Sequence, residues 1–242
     1  MQLIKKAFLI LTFATVLVSC KISGDFGDGI KGSSNVTTES RSVNEDFKKV
    51  EVSYGIKVIV EQSQDKSITV EADDNLQPHI ITKVINGVLI VEADEAYNST
   101  KTPTVTVKMP VINGLSTTSG SKITNNKLIV TDNINVKSSS GSEIEINVEA
   151  DNITLETSSG SNIEARGKAL KLETASSSGS EIDAGKLLAN EVVSQTSSGS
   201  STNVHPIVSL KAKASSGSSI DYNNEPKTIS KEESSGGSIS RL

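Results

Sequence analysis

Seven glycines recur through the second half of the chain, at Gly120, Gly141, Gly160, Gly179, Gly199, Gly217 and Gly236. Their spacings are 21, 19, 19, 20, 18 and 19 residues. Each sits in a run of hydroxyls, as in "TSSGSNI" (157–163) and "ASSGSSI" (214–220). A period this steady marks an array in which each copy packs on the next. Large aliphatic residues stand at fixed offsets from the glycines. Three residues after come Ile123, Ile144, Ile163, Ile182, Ile220 and Ile239, with Thr202 the exception. Seven before come Ile134, Ile153, Leu172, Val192, Leu210 and Ile229, with Asn113 the exception. Between them polar and apolar residues alternate, as in "EIEINV" (143–148), the period of a strand with one buried face. The Leu/Asn ladder of leucine-rich repeats and the Gly-Gly-x-Gly-x-Asp of calcium-binding nonapeptides are absent, and WD40 and kelch blades need at least twice this length.

These columns predict an all-β fold, a single-stranded parallel β-helix with coils of about nineteen residues. Stacked coils rise ~4.8 Å each, so six intervals make a tube roughly 29 Å long. Parallel crossovers are right-handed, which predicts a right-handed coil. With 3% aromatics and no Trp, its core must be built from Val, Ile, Leu and Ala.

The 242 residues divide into three parts. Residues 1–19 read as a secretory leader: Lys5 and Lys6, then an apolar run from Ala7 to Val18, too short to span a bilayer. Its end, "LVSC", resembles the lipobox of bacterial lipoproteins, which implies cleavage before Cys20 and acylation of its sulfur. Cys20 is the only cysteine, so neither an internal disulfide nor a Cys-based zinc site is expected. Residues 20–42 are rich in Gly and Ser without periodicity and predict a flexible tether. Residues 43–242 form the solenoid, with 43–110 an irregular β region that caps it and 111–242 the seven repeats. "VSYGIKVIV" (52–60) reads as a degenerate copy, with Gly55 and Val58 in the Gly and Ile places, and Asn86-Gly87 as a hairpin turn. The formal charge of −5 becomes −7 once Lys5 and Lys6 leave with the leader. With no basic stripe, nucleic-acid binding is not expected.

The segments "VSYGIKV" (Val52–Val58) and "EADDNLQP" (Glu71–Pro78), followed by the Ser-Gly turns, resemble the "putative auto-transporter adhesin, head GIN domain" family over about residues 43–240. The resemblance implies a parallel β-helix in an envelope protein and supplies no catalytic or binding residue to carry over. Tyr54, where small residues are usual, and Gly236-Gly237, where the following Ser is lost, depart from the pattern.

The strongest candidate site is the hydroxyl ladder. Ser119, Ser140, Ser159, Ser178, Ser198, Ser216 and Ser235 precede the glycines. If each strand runs on through its glycine, these serines and those after the glycine, such as Ser161, point inward as small spacers, and the glycines serve as structural corners. The outward contact column is then Thr118, Ser139, Ser158, Ser177, Ser197, Ser215 and Ser234. Glu143, Glu145, Glu164, Glu181 and Asp183 have the spacing for acid–base or Ca²⁺ chemistry but read better as the solvated side of alternating strands. Two histidines, His79 and His205, and three tyrosines, Tyr54, Tyr97 and Tyr222, are too few for a His-based metal site, a His-based triad or aromatic sugar stacking. No cofactor or metal is expected. The expectation is a non-catalytic envelope lipoprotein, anchored to the membrane (the outer membrane the better expectation) through Cys20, that binds a protein or glycan in adhesion. The alternatives are a periplasmic module bound to another envelope protein and a polysaccharide-active β-helix enzyme.

Overall fold

A computed structural model describes residues 29–242. Cys20 and the leader lie outside the described residues. Four consecutive coils show the repeat at its most regular: Glu143–Thr157, Asn162–Ser176, Glu181–Thr196 and Ser201–Ser215. Each is one long bent strand in parallel register with the next, so that Ile144 lies beside Ile163 and Ile163 beside Ile182. The predicted aliphatic columns are rungs of the core. Ile123, Ile144, Ile163, Ile182 and Ile220 are fully buried, and Thr202 takes the same inward place. The other column, from Ile134 to Leu210, is buried too, and only Ile229 in the terminal coil is exposed.

Each coil has two flat strands and two corners. In Glu143–Thr157 the inward residues are Ile144, Ile146 and Val148, then Ile153, Leu155 and Thr157. The step of five from Val148 to Ile153 reverses the inward phase, so the chain bends over residues 149–152. The second corner is the Ser-Gly turn. Departures from the nineteen-residue period fall near the first corner. Register shifts between neighbouring coils occur at Glu164/Arg166, Ala184/Leu188 and Ala189/Glu191, while the strands entering and leaving the Ser-Gly turn stay aligned.

The degenerate copy is the first coil of the stack. Lys49–Val52 and Lys57–Gln62 flank Tyr54-Gly55 and lie parallel to Gly114–Thr117 and Lys122–Asn125, with Val58 beside Ile123. The chain between these two coils builds the cap. Val88–Ala93 and Thr104–Met109 add one further parallel layer. Antiparallel strands then close it: Ile80–Ile85 on Val88–Ala93, joined by the Asn86-Gly87 turn (φ 51° and 75°), and Ser67–Asp73 on Thr104–Met109. Phe47, Leu76, Leu89, Met109 and Ile112 fill its interior.

The tether expectation needs correction over its second half. Ile30–Lys31 pairs with Tyr97–Asn98, and Val36–Arg41 runs antiparallel to Ser67–Asp73 as part of the cap. Its polar sequence hides the strand, because most of its side chains face solvent, the backbone joins the sheet, and the half-buried Arg41 donates to Gln77.

Candidate functional site

The Ser-Gly turn decides which hydroxyls face in and which face out. The serine before each glycine and the glycine itself both adopt left-handed backbone, with φ of 55° at Ser159 and 68° at Gly160. Two successive left-handed residues make the tight turn that reverses a hairpin, here placed at a coil corner. The pair lifts its first residue out of the strand phase. Ser119, Ser140, Ser159, Ser178, Ser198, Ser216 and Ser235 are therefore exposed, which corrects the inward placement expected for them. Strand parity fails because it assumes β-region φ at every step.

The inward hydroxyls are those after the glycine and those three before it. Ser121, Ser142, Ser161, Ser180, Ser200 and Ser218 are buried as expected, and so are Thr117, Ser138, Thr157, Ser176 and Thr196. These two columns bond to each other inside the tube. Thr157 Oγ1 donates to Ser176 Oγ at 2.9 Å and accepts from Ser180 Oγ at 2.9 Å. Ser142 Oγ lies 3.0 Å from both Thr117 Oγ1 and Ser138 Oγ. A hydroxyl needs such partners to be buried without a large penalty.

The proposed contact column is half-buried at Thr118, Ser139, Ser158, Ser177, Ser197 and Ser215 and exposed at Ser234. It forms one wall of an open groove of about 520 Å³ running across the coils. The opposite wall is the outward column Ser116, Lys137, Glu156, Ala175, Gln195 and Lys213. Lys137 pairs with Glu156 at 2.9 Å across one coil step, while Ala175 leaves a gap beside it. Sequence reasoning found the hydroxyl wall and missed the charged one. Those residues share no residue type, so they show no column until the register is known.

The acidic residues lie on the other strand of each coil, where Glu181 is exposed to solvent and the other four are engaged. Lys122 bridges Glu143 at 2.9 Å and Glu145 at 2.6 Å, and its hydrogen bond holds the Glu145 carboxyl below its ordinary pKa. Arg166 pairs with Glu164, and Asp183 accepts the Gly185 amide at 3.0 Å. Among the described residues no three His, Cys, Asp or Glu are gathered to hold a metal ion. His79 Nδ1 sits 2.9 Å from Asp94, and His205 Nδ1 lies 3.3 Å from the Gly185 carbonyl. Neither histidine lines the groove. Tyr97 donates to the Tyr54 carbonyl at 2.7 Å, and burial pushes its hydroxyl up to about 12. Tyr222 is buried inside the last coils.

The head GIN domain model, described as "putative auto-transporter adhesin", matches residues 46–226. The chain belongs to this family. Solved structures share the fold at low identity. A "putative adhesin" from Bacteroides fragilis has a TM-score of 0.81 at 20% identity, covering 88% of this chain and 100% of its own. Another from Parabacteroides merdae has a TM-score of 0.72 at 17% identity, covering 88% and 98%. A "putative lipid binding protein" from Parabacteroides distasonis has a TM-score of 0.70 at 17% identity, covering 88% and 99%. No curated protein matches the chain.

Proposed function

We propose that this head GIN domain is a non-catalytic interaction module of the cell envelope, tethered by a lipid on Cys20, that takes an extended polar ligand along the hydroxyl-lined groove. The groove itself carries the reading. Repetition sets hydroxyls on one wall and Lys137, Glu156, Gln195 and Lys213 on the other, at intervals of one coil step. A ligand with its own regular spacing, such as a glycan or a strand of protein, meets the same hydroxyls at successive coils, while the charged wall differs from coil to coil and sets which ligand fits. The family's adhesin description supports an envelope role. The absence of a histidine from the groove lining supports binding rather than hydroxyl-based catalysis.

A glycan and matrix-protein screen, with Ala175→Trp as the probe of the groove, tests this. Ala175 faces outward at the centre of the wall, so the indole fills the groove without entering the core. Loss of binding with unchanged melting supports the reading, and unchanged binding places the ligand elsewhere. Protease shaving of intact cells tests the membrane face. Release supports surface adhesion, and full protection leaves a module bound to another envelope protein.

A further inference from the structure

The corner opposite the Ser-Gly turns carries a second concave surface, of about 540 Å³, with a different character. Ala150 and Ala169 form its floor. Along one rim four residues stack in register, one per coil: Val130 beside Glu149, Glu149 beside Lys168, and Lys168 beside Leu188. Val130 is 57% exposed and Leu188 is 41% exposed, and Leu170 on the other rim is 55% exposed. Aliphatic side chains left this open on a folded domain mark a contact surface when they cluster.

The order along the rim is apolar, negative, positive, apolar. Reversed end for end, the same column meets itself with Val130 on Leu188 and Glu149 on Lys168. Lys168 and Glu149 already pair within the chain at 3.3 Å, and a twofold axis between their coils adds the same contact twice between the copies, making a cluster of four alternating charges. On the second rim that operation sets Asp132 against Asn190 and Asp151 against Leu170, with no like charges in contact. The parallel arrangement fails this condition, because it sets Glu149 against Asp151 of the other copy. Isologous contacts of this kind are the commonest way for identical chains to pair.

We infer that two copies of the chain associate side by side and antiparallel along this rim. Four stacked residues span roughly 14 Å, so the interface belongs to the small, weak class. It becomes populated where copies are concentrated, as on a shared membrane surface. The surface is separate from the hydroxyl groove, so pairing leaves both ligand grooves open.

Sedimentation equilibrium of the chain from residue 20 onward, with Cys20→Ser to prevent acylation, tests this between about 10 µM and about 1 mM. A reversible monomer–dimer equilibrium is expected. E149K and K168E each place like charges together at both contacts and should weaken the dimer at least about tenfold. The double variant E149K/K168E restores opposite pairs and should recover it. Melting curves check that each variant folds, and V130E provides a second disruption outside the charge pair. A chain that stays monomeric across the range overturns the inference. So does a dimer insensitive to V130E, a double variant that fails to recover, or a monomer that instead pellets with phosphatidylcholine vesicles through this rim.

Discussion

The amide of Gly160 donates to the carbonyl of Ser178, 3.1 Å away in the next coil. The same bond recurs from Gly55 to Ser119, from Gly120 to Ser140, and at each turn up to Gly217 and Ser235. The left-handed corners are thus stacked as regularly as the strands, with the amide of one aimed at the carbonyl of the next. A Cβ at Gly160 would meet nothing within 4 Å, so only its φ of 68° opposes a side chain there. Gly160→Ala should therefore cost about 1–2 kcal/mol, the penalty of left-handed backbone for an L-residue. Gly167 differs, because its Cβ would lie 2.0 Å from the Val148 carbonyl oxygen and backbone cannot step aside. Gly167→Ala should cost about 3 kcal/mol or more. Denaturant melts of the two variants check the order, and equal losses would mean that crowding at the first corner is relieved by the chain.

The buried hydroxyl ladder should matter more to stability than the outer one. Thr157→Val keeps the shape and removes both bonds of Thr157, while Ser176 and Ser180 keep their bond to each other at 3.0 Å. The expected cost is about 1–3 kcal/mol. Ser158→Ala, on the half-buried groove wall, should change stability by less than about 0.5 kcal/mol. A calorimetric comparison that reversed this order would contradict the assignment of the inner columns.

The residues that announced the fold are those whose chemistry repeats. Ile163 and Leu172 are legible because an aliphatic ladder tolerates little else, and Gly160 because its backbone leaves few alternatives. Ser159 was misplaced because sequence parity cannot register two left-handed residues in succession. Thr157 shares the tube with Ser161 and has the parity of Ile163, but its column reads Thr117, Ser138, Thr157, Ser176, Thr196 and Ala214, so no single residue type marks it. Val36–Arg41 was illegible on other grounds. It pairs through backbone with Ser67–Asp73, and a polar edge strand has no alternation to betray it. The groove was half legible, since Ser158 belongs to a uniform column while Lys137, Glu156 and Gln195 do not.

Acid should loosen the cap and the stack together. Hydrogen bonds from Ser33 and Asn35 hold the Asp74 carboxyl below its ordinary value, and the Lys127 bond does the same for Glu61. Lys122 does so for Glu145. A carboxyl held low when folded contributes stability above its unfolded pKa and loses it as pH falls through the folded one. The reference values of these groups are 3.8 for Asp74 and 4.5 for the two glutamates. With regard to these groups, Tm should stay level from neutral pH down to about 5 and fall below about 4.5. Lys122→Met should blunt the part due to Glu145. A Tm that rose on acidification through this window would show that repulsion within the acidic chain outweighs these bonds.

The last coil protects an open edge with charge turned inward. Thr228–Ser234 pairs only with Ser201–Ser215, and Ser238–Arg241 only with Ser219–Tyr222, so among the described residues their far edges are unpaired. In register, Lys231 lies beside the buried Ala212 and Glu233 beside the buried Ala214, so both follow the inward columns but stay exposed at the open end. Lys231 Nζ reaches the Ile239 carbonyl at 3.2 Å and lies 4.7 Å from the centre of the Tyr222 ring. Glu233 accepts the Ile239 amide at 2.6 Å. Another coil stacked on this end would bury both charges, which is a strong deterrent to edge-to-edge growth. The double variant K231V/E233V removes the deterrent while keeping strand-forming residues. Sedimentation velocity at about 1 µM, below the range of the weak antiparallel dimer, should then show an elongated two-chain species joined end to end. A variant that sediments as the parent chain does would show that the exposed edge is guarded by something other than these two side chains.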